Sequence, residues 1–350
     1  DQIVRMPLYP GLMAFGIRSF TSAPISPQNF WSLFPIRLWH CLLDLCTLAC
    51  IYLFIRRWIS ESCAFMAGCL YAVYPLTLYH LPILNTETIQ GTAIGFWLLG
   101  AAQTLGTRKI ANAILLSLLS AILVFISPAL QFLPFCFTVA LFFFFPWKEA
   151  VRLGMAMLIP FMLLSVAWGI RNEAVTGQFF LFDTRGGKEF WLGNNQEVDG
   201  RWEHPQQEIW LNQWRQYTRE AKEKGGSDRD VNQYLYQKGI EEIRNQPWGA
   251  LLLMGKKFLR FWFVPASERM ILLMAFMQSF YLLLAIYGGY TAGLRNRGTV
   301  LPLFIIAYYC GIYTVSYACI RFCLPVMPWV CALGGIGLNR LWQGAKESTP

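Results

Sequence analysis

Apolar runs long enough to cross a lipid bilayer recur along this chain, and the loops that join them alternate in charge. Arg56/Arg57, Arg108/Lys109, Lys148/Arg152, Arg295/Arg297 and Arg340/Lys346 occupy alternate loops, whereas the short loops at 78–86 and 127–131 carry no Lys or Arg. This is the positive-inside pattern of a polytopic membrane protein, with the cationic loops cytoplasmic. It predicts that the other helix ends, with the large polar segment and the chemistry, gather on the outer face. Charged residues make up 14% of the chain and apolar residues 55%. A soluble domain carries about 25% charged residues, so the composition agrees with a membrane class. Anionic lipid beside the cytoplasmic loops accounts for the net charge of +9. No nucleic acid is expected as a partner.

About nine spans can be drawn, at 34–55, 62–78, 87–105, 110–127, 129–147, 151–170, 270–291, 299–317 and 322–341. Each is near the roughly 17–25 residues that a bilayer requires, and backbone groups in lipid must pair internally, so these are helices. The fold expected is an α-helical polytopic membrane protein with a small mixed extracytoplasmic domain. Residues 1–33 form an outer interfacial segment, 34–170 an N-terminal transmembrane bundle, 171–268 the extracytoplasmic domain, and 269–350 the C-terminal transmembrane helices with a cytoplasmic tail. With nine spans, residue 1 lies outside, and its neighbours read like the middle of a longer chain, so a missing N-terminal helix is expected.

Within the outer segment, helical periodicity predicts helices over 206–224 and 228–245, the second capped by Ser227 or Asp228. Pro247 starts a third, over 248–263, whose Lys256, Lys257 and Arg260 are expected to lie near lipid headgroups. Residues 5–20 are too short and broken to span and suit an interfacial helix. Ten cysteines fall mostly in apolar runs and none lies between Arg171 and Ser267, so no disulfide framework is expected there.

Several residues are candidates for chemistry. Arg5, stiffened by Pro7 and Pro10, could grip a lipid phosphate through its guanidinium or simply snorkel to headgroups. Glu87 opens the third span; a carboxylate there is either functional or a first-turn residue favoured by the helix dipole. His80 and Asn85 stand just before it. His40 and Asp44 share a face of the first span and suit a buried packing pair. Arg171 ends the sixth span. In the outer loop, Arg185-Gly186-Gly187-Lys188 and Gly193-Asn194-Asn195 offer cations and amides that suit phosphates and sugar hydroxyls. The plainer reading is a turn between strands at 179–182 and 189–192. Arg321 should face an anion, or pair with Glu87 or Asp183. No Ser/His/Asp set, phosphate loop or HExxH motif occurs, so a nucleotide-dependent reaction is not expected.

Taken in order, Arg5-Met6-Pro7-Leu8-Tyr9-Pro10, Arg56-Arg57, Tyr74-Pro75, Thr86-Glu87-Thr88, Trp168-Gly169-Ile170-Arg171-Asn172, the Gly-Gly…Gly-Asn-Asn loop, Pro247, Lys257-Phe258-Leu259-Arg260-Phe261-Trp262 and Arg321-Phe322…Pro325…Pro328 resemble a known pattern. The chain resembles bacterial GT-C glycosyltransferases of the dolichyl-phosphate-mannose-protein mannosyltransferase-like group, which includes the lipid A aminoarabinose transferases. The resemblance implies an inner-membrane enzyme with a cytoplasmic C-terminus. Such an enzyme moves a sugar from a polyprenyl-phosphate donor to a lipid, glycan or protein acceptor on the outer side. It places Arg5, and with it Arg171, Lys188 and Arg321, at the donor phosphate. Glu87 would lie at the site mouth, and His80, Asn85, Asn194 and Asn195 near sugar or acceptor. The family's catalytic acid precedes the Arg-x-Pro segment by more than the four residues available here, so it is expected upstream of residue 1. A divalent cation is the one cofactor left open. The competing readings are a transporter, a polysaccharide polymerase or flippase, which would need polar residues deep in several spans, and a catalytically incomplete remnant.

Overall fold

In the computed structural model, residues 6–20, 30–83, 85–201, 207–223, 226–265 and 268–347 are described. In chain order the helices are α1 (Leu8–Phe20), α2 (Phe30–Trp58), α3 (Glu61–Ala72), α4 (Pro75–His80), α5 (Glu87–Thr107), α6 (Ile110–Ile126), α7 (Leu133–Phe144) and α8 (Trp147–Thr176). They continue as α9 (Gly186–Asn194), α10 (Gln207–Glu223), α11 (Asp228–Asn245), α12 (Pro247–Trp262), α13 (Ile271–Ala292), α14 (Arg297–Val315) and α15 (Met327–Glu347). No strand forms among the described residues.

Five stretches are long and apolar enough to cross a membrane: Leu33–Trp58, Trp147–Thr176, Ile271–Ala292, Arg297–Val315 and Ile320–Ala345. This agrees with an α-helical membrane protein, but the nine spans expected are not found. The run at 62–78 is cut at Tyr74-Pro75, where Pro75 starts α4. That leaves α3 with 12 residues, about 18 Å at a rise of about 1.5 Å per residue, against a hydrocarbon core of roughly 30 Å. Pro128 and Pro134 similarly shorten the run at 129–147, leaving α7 with 12 residues. The α6 helix has 17 residues, at the lower end of the range that a bilayer requires. The α5 helix has 21 residues but carries Glu87, Gln90, Thr92, Gln103 and Thr104; it is not among the five.

The chain divides into two compact units. The larger comprises Pro7–Met162, Met277–Ala307 and Leu324–Pro350. Its α2, α3, α5, α6 and α15 pack against one another. The last membrane-length stretch, which ends in α15, is 89% buried, against at most a third for the other four. Small residues let neighbouring backbones approach α15. A Cβ on Gly335 would stand 2.4 Å from the Ala67 nitrogen of α3, and one on Gly288 of α13 would stand 2.0 Å from the Leu333 carbonyl oxygen. Buried hydrogen bonds add register: Thr47 Oγ1 to Thr92 Oγ1 (3.0 Å) and Trp97 Nε1 to Ser120 Oγ (2.9 Å). Tyr71 donates its hydroxyl to Asp44, while His40 lies 3.5 Å from Tyr9 Oη. His40 and Asp44 therefore serve two different contacts and do not form the pair expected from their spacing.

The cationic loops of this unit meet at one end. Glu149 at the start of α8 joins Arg108 (3.4 Å) and Arg152 (3.6 Å). Arg297 at the start of α14 lies over Trp58 at the end of α2, 5.1 Å from the ring centre. A Cβ on Gly106 near the end of α5 would stand 3.3 Å from Arg297 Nη1. Cations from three of the alternating loops, Arg108, Arg152 and Arg297, thus stand at the helix ends that Glu149 and Trp58 share.

The smaller unit contains Met6, Leu163–Phe276 and Tyr308–Cys323. The segment 308–323 joins it, although the sequence reading grouped those residues with the C-terminal helices. Its core is Trp191, Leu192, Val198, Trp210 and Leu235, contributed by α9, α10, α11 and the loop after α9. The cap of α11 is reciprocal: Ser227 Oγ accepts from Asp230 N, and Asp230 Oδ2 accepts from Ser227 N at 2.8 Å. The hairpin expected at 179–192 is replaced by α9. Consecutive residues of a strand face opposite ways, whereas Trp191 and Leu192 are both fully buried, and a helix buries both on one flank.

Close packing at α15 generates a test. Replacing Gly335 with Val is expected to lower stability by about 1–3 kcal/mol through overpacking. Gly344→Val, where nothing lies within 4 Å, should be neutral. Thermal melting of the two variants in detergent measures the difference, and equal melting temperatures would refute the packing account.

Candidate functional site

Arg5 lies outside the described residues. Of the remaining residues singled out from the sequence, His80, Asn85 and Glu87 lie in the larger unit, and Arg171, Lys188, Asn194, Asn195 and Arg321 in the smaller. In the larger unit, α4 and the turn after it bring His80 and Asn85 together, with Asn85 Nδ2 3.5 Å from His80 Nδ1. Glu87 is 5% exposed in the first turn of α5. Thr86 precedes that helix but gives no side-chain cap; its hydroxyl accepts from Gln90 Nε2 at 3.1 Å.

In the smaller unit, the residues around α9 form a charged cluster. Asp183 sits just before α9, and its Oδ1 accepts from the Arg185 backbone N–H. Burial raises its pKa from 3.8 to about 6, helped by the charge of Glu189 and opposed by Arg185. Arg185 and Glu189, one turn apart on α9, form an ion pair at 3.4 Å. Glu189 keeps 46% of its side-chain surface accessible, yet the protein packed around it raises its pKa. The charges of Arg185, Lys188 and Arg321 oppose that rise. Lys188 lies over Trp214, 3.4 Å from the ring centre. Loss of hydration, then Arg185, lowers its pKa to about 8.

Two glycines allow this arrangement. Gly187 N–H donates to Asn232 Oδ1 of α11 at 2.6 Å, and a Cβ there would stand 2.0 Å from the Asn232 carbonyl oxygen. A Cβ on Gly186 would stand 2.3 Å from Tyr236 Oη. The Tyr236 hydroxyl titrates higher than usual because of burial and the charges of Asp183 and Glu189.

Lys188 and Arg321, both singled out from the sequence, each bear on Glu189, whose carboxyl their charges pull down against the effect of burial. Asp183 and Glu189 were not read as site residues. The signal was an acid on each side of a basic Gly-Gly turn. Arg171 is exposed on α8, 4.9 Å over the Trp168 ring, and donates to Asn172 Oδ1.

Asn194 and Asn195, proposed as sugar contacts, are each 1% exposed and spend their amides within the protein. Asn194 Nδ2 donates to Phe190 O (2.8 Å) and Val315 O (3.1 Å). Asn195 Nδ2 donates to Gln213 Oε1 (2.7 Å), and its Oδ1 accepts from Glu197 N. We do not carry them forward as sugar ligands. Lys257 and Arg260, expected near headgroups, are 0% and 6% exposed. Lys257 bonds to Asn194, and Arg260 donates to the backbone and carboxylate of Asp199. Burial, with Arg260 nearby, lowers the Lys257 pKa to about 7. Among the described residues no group of three or more His, Cys, Asp or Glu is placed to hold a metal ion. No protein-family model and no curated protein matches the sequence.

Asp183 gives a test in pH. The unfolded chain releases its proton near 3.8 and the folded protein near 6, so between those values the folded state binds more protons and stability falls as pH rises. The stabilisation from protonated Asp183 is whole below 3.8 and lost above about 6. Asp183→Asn keeps the Oδ1 acceptor and carries no charge. Its melting temperature should exceed wild type most at pH 7, and the gap should close by pH 4. Tryptophan fluorescence melts at the two pH values decide it, and a pH-independent gap would show that another group titrates.

Proposed function

We propose that this chain is a membrane glycosyltransferase that moves a sugar from a polyprenyl-phosphate donor to an acceptor on the non-cytoplasmic face. Support comes from the convergence of Arg185, Lys188 and Arg321 with Asp183 and Glu189 in one cluster, beside the ordered motifs of the sequence. Cations of this kind stabilise a phosphate that leaves with negative charge. In the transfer, the acceptor hydroxyl oxygen bonds to the sugar's anomeric carbon as the carbon–oxygen bond to phosphate breaks. The electron pair leaves on the polyprenyl phosphate, and the hydroxyl proton passes to a carboxylate. Asp183 is ionised at neutral pH and stands among the cations. Glu87 is the carboxylate of the larger unit that the sequence marks. A second reading, transport through the helices, would draw on the buried polar groups of the larger unit, but Asp44 and Thr47 bond to neighbouring helices there.

Reconstituted protein supplied with labelled polyprenyl-phosphate sugar should label a lipid, glycan or protein acceptor. Arg5→Ala, Lys188→Ala and Arg321→Ala should each reduce transfer by about 10²-fold, the cost typical of a lost charge-stabilising donor, with melting unchanged. Glu87→Gln and Asp183→Asn separate the two carboxylates by which one loses kcat. A wild-type protein that labels no acceptor, or cation variants of full activity, would overturn the proposal.

A further inference from the structure

Lys257 has no exposed surface. Its ammonium donates to Asn194 Oδ1 (3.1 Å), Val315 O (3.0 Å) and Ser316 O (3.1 Å). All three acceptors are uncharged, and they use the three N–H donors that an ammonium has. A buried cation normally has a carboxylate partner; here its role must be sought in what it joins.

It joins three pieces of chain. Lys257 belongs to α12, Asn194 is the last residue of α9, and Val315 ends α14 with Ser316 just after it. Asn194 reinforces the joint through its own bonds to Phe190 O and Val315 O. Gly193 brings α9 so close that a Cβ on it would stand 1.8 Å from the Ser316 carbonyl oxygen. Along α9 from this joint lie Glu189 and Lys188, and along the other chain lies Arg321, five residues past Ser316. The neighbouring Lys256 has an ordinary role: it is 55% exposed and pairs with Asp199 at 2.7 Å.

We propose that Lys257 is a positioning residue that fixes α9 against the 315–321 segment and so sets Lys188 and Glu189 relative to Arg321. Its effect on activity rests on the reading of those cations as a donor-phosphate site, whereas its mechanical effect does not. Removing the ammonium takes the donor from Asn194 Oδ1 and Ser316 O and leaves Val315 O with Asn194 alone, so the two tethered pieces can shift. A displacement of about 1 Å at a reacting site can cost up to roughly 10²-fold.

The test compares Lys257→Met and Asn194→Ala with Leu253→Ala, a buried apolar change on the same helix, and Lys256→Gln. Two readouts apply to the full chain in detergent or liposomes: hydrogen exchange by peptide, and donor KM against kcat. Expected for Lys257→Met and Asn194→Ala is faster exchange confined to peptides covering 188–195 and 312–321. Their donor KM should rise by roughly 10-fold or more, with a smaller change in kcat. Leu253→Ala should lower the melting temperature without moving KM, and Lys256→Gln should move neither. If wild type transfers no sugar but the local exchange pattern appears, the positioning role stands and the glycosyltransferase reading fails. If wild type transfers sugar and both variants keep normal KM and exchange, the positioning role fails and that reading survives. Uniform loosening like that of Leu253→Ala, or failure of both variants to fold, also overturns it.

Discussion

Helices that are apolar on every side gain little by hiding those sides from apolar surroundings, so close backbone approach and buried polar bonds must set how they pack. The larger unit meets this constraint at α15. Glycines there and on α13 bring backbones to distances that any side chain would block. Thr47 with Thr92, Trp97 with Ser120, and Tyr71 with Asp44 each satisfy a buried polar atom in only one register. Leaving such a group unpaired costs about 1–3 kcal/mol. These few bonds therefore select one arrangement among the many that apolar surfaces alone would tolerate.

What the sequence disclosed follows from which physical signals residue types carry. Charge alternation was legible because Lys and Arg avoid apolar surroundings wherever they occur, and the structure gathers Arg108, Glu149, Arg152 and Arg297 near one end of the bundle. The α10, α11 and α12 helices were legible from periodicity, the Gly225-Gly226-Ser227 break and Pro247. The structure supports five of the nine spans drawn from hydropathy; in two of the other runs Pro75, Pro128 and Pro134 interrupt apolar sequence, a break that average hydropathy does not register. The α9 helix was misread because paired glycines suggest a hairpin, and only Asn232 and Tyr236, over forty residues away, show why those glycines are packed. Lys257 was assigned to headgroups because a cation at helical spacing in an apolar run looks like a snorkelling one. Its partners include the backbone carbonyls of Val315 and Ser316, and a carbonyl leaves no trace in residue type.

The cluster around α9 combines signs in a way that couples two events. Arg185, Lys188 and Arg321 stand with two acids, Asp183 and Glu189, whose carboxyls titrate above their ordinary values. In the proposed reading an arriving phosphate would raise the proton affinity of both acids further, since a nearby anion disfavours their ionised form. Asp183 already titrates at about 6, so under the proposed function occupancy by phosphate would move it toward neutral pH, and donor binding and proton acceptance would be linked through one field.

Lys257 shows why such a cluster needs support from a residue that is itself unfavourable to bury. Replacing buried ionic groups by apolar ones is often neutral or stabilising when every partner is replaced together. That route is closed here, because two of the three acceptors are backbone carbonyls, which no substitution removes. Asn194 cannot substitute as the donor, since its amide nitrogen already serves Phe190 and Val315. Gly193 keeps the Ser316 carbonyl too close to α9 for a larger side chain to intervene. A long side chain ending in three donors, reaching in from a third helix, answers all of these restrictions. The desolvation it incurs is a consequence of the close α9 contact, and that contact also gives the segment carrying Arg321 a fixed anchor.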